Sequence, residues 1–134
     1  MNYKFKFICG DDDFLVNEKA KLWYDKYTKE IKEDLSKEII DGRANKIEDV
    51  RNIIIGFGES VQTKSLFLEK KVIWLKGINF ISNTIIGNSK LTLDLLENLK
   101  VLFNNLNNDV TILVSASPVH KAKNFYKWCL NESD

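Results

Sequence analysis

Hydrophobic and polar positions along this chain change period several times, and each change predicts an element. "YKFKFIC" (residues 3–9) alternates aromatic and lysine and then turns wholly apolar, as a strand does that begins half exposed. It closes at Gly10, and Asp11, Asp12 and Asp13 offer N-cap chemistry for the next element. Residues from Phe14 to about Glu33 predict a charged amphipathic helix with Phe14, Leu15, Leu22 and Trp23 on its apolar side. "KEIIDG" predicts a short strand ended by Gly42. Ile47, Val50, Ile54, Phe57 and Val61 then recur at steps of three and four. That spacing predicts a second helix over 46–58, loosened at its end by Gly56 and Gly58.

"KVIWLKG" (71–77) predicts a buried strand, and the asparagine- and serine-rich stretch 78–90 a loop or broken helix. Leu95, Leu96, Leu99, Leu102, Phe103 and Leu106 fall on one helical face. "DVTILVSAS" is a continuous β-branched apolar run, hence a strand covered on both faces. Pro118 opens a last predicted helix, with Ala122, Phe125, Tyr126, Cys129 and Leu130 at core spacing. Strand and helix alternate four times without repeat or linker. This predicts an α/β fold of three layers, a mostly parallel sheet with helices on both faces.

Composition narrows the function classes. A chain of 134 residues is one domain's worth, able to bury roughly two thirds of its unfolded surface. Twenty Lys and Arg against nineteen Asp and Glu leave a net charge of +1, not the basic excess of a dedicated nucleic-acid binder. Arg43 and Arg51 are the only arginines, so bidentate phosphate clamps are scarce. Cys9 and Cys129 form no metal or disulfide framework. The N-terminus has no signal layout, and no stretch nears the about 20 apolar residues of a membrane span, so a cytoplasmic location is expected. Trp23, Trp74 and Trp128 are expected in the core.

A strand ending in glycine and leading straight to a helix is where a phosphate-binding loop would lie. The pattern GxxxxGK[ST], counted from Gly10, requires glycine, lysine and a hydroxyl where this chain has Leu15, Val16 and Asn17. Asp11, Asp12 and Asp13 would set three negative charges beside a triphosphate. The strand through Val72–Leu75 ends in Lys76-Gly77-Ile78 rather than in an acidic pair for magnesium. The loop therefore reads as a degenerate phosphate loop at Gly10, Asp11, Asp12 and Asp13, with no cofactor expected. His120, the only histidine, is expected to be capping or exposed. Ser115 and Ser117 lack a histidine–carboxylate pair, and the aspartates lack the spaced ligands of a calcium loop. No catalytic or metal residues are expected.

One stretch stays ambiguous on its residues alone. "TKSLFLEKK" places Leu66, Phe67 and Leu68 in a short connection between helix and strand. Either that corner folds inward, or it is a surface for another protein.

Four segments, "ICGDDDFLVNEKA", "IIDGRA", "TKSLFLEKKVIWLKGINFI" and "NNDVTILVSASPVHKAKNFYKWC", carry a resemblance that spans nearly the whole chain. In their order and spacing the chain resembles the N-terminal domain of the bacterial DNA polymerase III delta subunit, a clamp-loader component that opens the sliding clamp. The resemblance implies an AAA+-like fold that has lost its nucleotide site. It implies that residues 1–134 are a single clamp-binding domain, a fragment without the lid and collar domains of the longer subunits. The strand that would flank the first one is lacking, so residues 3–9 are expected at an edge of the sheet. The family's hydrophobic pair that enters the clamp's apolar pocket corresponds here to Leu66 and Phe67. Lys64, Ser65 and Lys70 flank the pair, Glu69 and Lys71 extend the charged rim, and Leu68 is assigned to the core. Implied partners are the sliding clamp and other clamp-loader subunits, with DNA met only indirectly and no membrane; ATP is hydrolysed by partner subunits. Two other classes fit the bare fold: a diverged P-loop nucleotide-dependent enzyme, and a regulatory module with a polar pocket near Gly10 and Ser115.

Overall fold

A computed structural model of the chain describes residues 5–32, 36–62, 70–106 and 109–133. Strands β1 (Phe5–Cys9), β2 (Lys37–Asp41), β3 (Lys71–Ile78) and β4 (Val110–Ala116) alternate with helices α1 (Asp13–Thr28), α2 (Ile47–Gln62), α3 (Ile85–Asn88), α4 (Lys90–Asn104) and α5 (Asn124–Glu132). The strands form one wholly parallel sheet in the order β1-β4-β3-β2. The expected three-layer α/β architecture is present, and β1 lies at an edge. No helix among the described residues is long and apolar enough to cross a membrane.

Strand periodicity divides the interior into two unequal cores. Phe5, Phe7, Ile73, Leu75, Ile112 and Val114 face α2, α4 and α5, joining Val50, Ile54, Phe57, Leu96, Leu99, Phe103, Phe125 and Cys129. Val72, Trp74 and Leu113 face α1 alone, where they meet Ala20 and Tyr24. An aromatic stack fastens β1 to the larger core: the Phe5 ring lies 4.5 Å from Phe103 and 5.6 Å from Trp128. Trp74 is buried, while Trp23 and Trp128 are half-buried. The leucine stripe of α4 is inward as expected, and β4 is buried from Ile112 to Ala116.

The first helix differs from the expectation. It ends at Thr28, and its buried face is Val16, Ala20, Tyr24 and Thr28, a strict four-residue step. Phe14, Leu15 and Leu22 are exposed instead, Phe14 and Leu22 by 70% and 71%. A helix that packs alone on the sheet approaches closely through a small residue, and fully buried Ala20 supplies it. Large apolar residues at the surface break no rule, since apolar atoms make up much of any protein surface.

Helix α2 runs through Gly56 and Gly58 to Gln62, longer than its glycines suggested. Each glycine costs a helix interior about 1 kcal/mol, which the burial of Val50, Ile54 and Phe57 outweighs. At the other end of the chain, Pro118 follows a cis peptide bond and lies outside the helix. Residues there are pinned to the end of β3 and the stretch after it, the Ser117 amide donating to the Ile78 carbonyl and the His120 amide to that of Ile81. The helix therefore starts only at Asn124. Ala122 and Leu130 are exposed, and Phe125 and Cys129 carry the core contact.

Candidate functional site

All strands run the same way, so the sheet has two chemically different ends. The carboxyl end holds the loop after β1. Three residues, Gly10, Asp11 and Asp12, separate Cys9 from the first residue of α1. The Gly10 amide donates to the Ala116 carbonyl at 3.3 Å, continuing the β1–β4 ladder into the turn. Asp12 is the N-cap: its Oδ1 accepts from the amides of Phe14 and Leu15 at 3.0 and 3.3 Å. Those amides are the groups a helix N-terminus would offer to a phosphate. Asp13 reaches an Arg43 guanidinium nitrogen at 3.5 Å, an exposed pair worth little in itself. Gly10, Asp11, Asp12 and Asp13 thus follow one another through this turn, with Gly10 bonded to β4, Asp12 to the helix start, Asp13 paired with Arg43 and Asp11 exposed.

Deeper at this end, Ser115 is fully buried. Its Oγ accepts from the Trp74 indole and from the Gly77 amide, both at 2.9 Å. Gly77 sits at φ +66°, the left-handed region that favours glycine, beside a register shift between Leu75 and Ile78. Ser115 therefore supports an irregular strand end. A concavity of about 330 Å³ lies elsewhere, between the starts of α4 and α5, lined by Leu93, Asp94, Glu97 and Phe125 among others. Both thiols are free. Burial pushes Cys9 up, countered by Lys121, and pushes Cys129 up much further. Among the described residues no group of three or more His, Cys, Asp and Glu could hold a metal ion. His120 is exposed, in the turn before α5.

The amino end of the sheet carries the connection from α2 to β3. Lys64, Ser65, Leu66 and Phe67 lie outside the described residues, as do Leu68 and Glu69; Lys70 is described and exposed. Lys71, by contrast, is 4% exposed, which corrects its assignment to a charged rim. Its Nζ donates to the Ser60 carbonyl in the last turn of α2 at 2.6 Å. The Ser60 hydroxyl in turn donates to Glu38 of β2 at 2.9 Å. Burial lowers the Lys71 pKa, and the Glu38 charge opposes that fall. This buried lysine was missed in the sequence, although a signal was there. A period of two places Lys71 with Ile73 and Leu75, on the face that α2 covers.

A family model, that of the DNA polymerase III delta subunit, matches residues 7–132. The chain belongs to that family. Delta subunits are accessory, clamp-loader-related components of the replicative polymerase, not its catalytic chain. The match spans both ends of the sheet, the Gly10–Asp13 turn and the α2–β3 connection alike. No curated protein matches the chain.

Proposed function

We propose that this delta-subunit domain binds the sliding clamp through Leu66 and Phe67, with Lys64, Ser65 and Lys70 at the rim of the contact. The observation that carries the reading is the family match across a connection that joins two adjacent large apolar residues to charged neighbours. Such a pair forms a compact anchor, and its burial in an apolar pocket supplies about 3–5 kcal/mol. The rim lysines tune encounter more than affinity.

Opening the ring requires the domain to bind the open clamp better than the closed one, because a ligand shifts an equilibrium only by its differential affinity. The domain performs no chemistry in this reading. ATP is bound and hydrolysed by partner subunits, which a C-terminal collar domain of the full-length subunit would hold. The complex works in the cytoplasm and meets DNA through the clamp. The Asp12 cap and the acidic turn support the absence of nucleotide here, since they fill and repel where a phosphate would bind.

Clamp capture tests the proposal. Leu66→Ala with Phe67→Ala should weaken binding to the cognate clamp by more than about 100-fold and leave stability within about 1 kcal/mol. A variant that unfolds, or one that still binds, moves the anchor elsewhere. Saturable, magnesium-dependent binding of an ATP analogue would instead favour a diverged nucleotide enzyme.

A further inference from the structure

We propose that Lys71 is a positioning residue for the clamp-binding connection: from β3 it caps the C-terminus of α2, and with Ser60 and Glu38 it ties the end of α2 to the start of β3, the two ends that flank residues 63–69. The inference rests on the clamp reading and adds to it what holds the anchor's base.

The last four carbonyls of a helix have no partner within it, and cations are favoured beside them. Helix α2 carries no basic residue in its last turn. Lys71 brings the missing cation from the next strand, its Nζ 2.6 Å from the Ser60 carbonyl. The backbone of Lys71 is held at the same time, its amide donating to the Asp109 carbonyl at 2.8 Å and its position pairing with Val110 of β4. Glu38 completes the corner by accepting from Ser60 Oγ, while β2 pairs with β3 through Glu38 and Ile73. Helix α2 and strands β2, β3 and β4 therefore meet at this corner, linked through the Lys71 ammonium, its backbone and the Ser60 hydroxyl.

Simple packing would not select a lysine at this position. Val72, Ile73, Trp74 and Leu75 come next in the strand, all buried, and an apolar residue in its place would avoid desolvating a charge. The adjacent Lys70 is exposed, so the doublet splits into one inward and one outward side chain. The inward one joins the two ends between which Leu66 and Phe67 lie. An anchor of two side chains binds well only when its base is held in one geometry.

Lys71→Met in the full chain keeps length and apolar bulk and removes the donor. It should weaken clamp binding about tenfold, leave the urea midpoint near that of the parent, and speed amide exchange in the last turn of α2. Lys71→Arg, which keeps charge and donors, should restore affinity to within about threefold. Should Lys71→Met fold poorly, Glu38→Gln reports on the same corner with about a threefold loss. Parent-like affinity and exchange in Lys71→Met would overturn the proposal. So would an affinity loss that only tracks the loss of folded protein. If Leu66→Ala with Phe67→Ala still binds the clamp, the anchor assignment fails by itself. Exchange in the last turn of α2 then decides whether Lys71 holds the corner.

Discussion

The two ends of this sheet are built from the same strands and have opposite characters. Parallel α/β folds place ligands beyond the carboxyl ends of their strands. Here that end is occupied by the protein's own groups: Asp12 on the α1 amides, Asp13 beside Arg43, Ser115 beneath the irregular end of β3. The amino end, where such folds keep plain connections, holds a buried lysine and the connection that contains Leu66 and Phe67. A fold thus indicates where its relatives do chemistry, while function must be read from the groups at each end.

Measurements at both ends put this contrast at risk. The largest effect is expected at the amino end, where Leu66→Ala with Phe67→Ala removes more than about 100-fold of clamp affinity. Asp11→Asn with Asp13→Asn at the carboxyl end should change the same affinity less than about twofold in a surface-binding assay. A large loss there would show that both ends contact the clamp.

Next in size is Ser115→Ala, which strands the Trp74 and Gly77 donors in the interior. A cost of about 2 kcal/mol in urea unfolding is expected, with clamp affinity of the folded protein retained. Asp12→Ala, which uncaps α1, should cost about 1 kcal/mol and create no nucleotide site. The smallest effect is a pH dependence. Cys129 stays protonated in the fold well above its ordinary value of 9.0, whereas in the unfolded chain it ionises there. The unfolded state then holds fewer protons, so stability is full below pH 9.0 and falls as the pH rises beyond it. The fall should be roughly half a kcal/mol over the first half unit, and Cys129→Ala should lessen it in thermal melts, with Cys9, also raised by burial, supplying what remains.

Much of the architecture is legible in the sequence because its signals are strong and local. The run through Ile112–Ala116 and the leucine stripe of α4 allow one burial pattern each, and both occur. In α1 the inward face is chosen by close approach to Trp74 and Leu113, which favours Ala20 over the larger Leu22. No local period carries that information. The delayed start of α5 likewise depends on bonds to Ile78 and Ile81, distant in sequence. Of the candidate site, the Asp12 cap could be read directly, since capping is a local pattern. Lys71 could not be separated from Lys70 by residue type, only by the strand period. The pair Leu66 and Phe67 stands on the family's motif, outside the described residues.

Strand order also governs when the molecule can form during synthesis. Phe5 of β1 pairs with Ile112 of β4, about a hundred residues downstream, and β1 has no other neighbour in the described sheet. A ribosome therefore releases the aromatic-rich first strand long before its mate exists. Such distant closure slows folding, and in the interval Phe5 and Phe7 are available to chaperones or to other nascent chains.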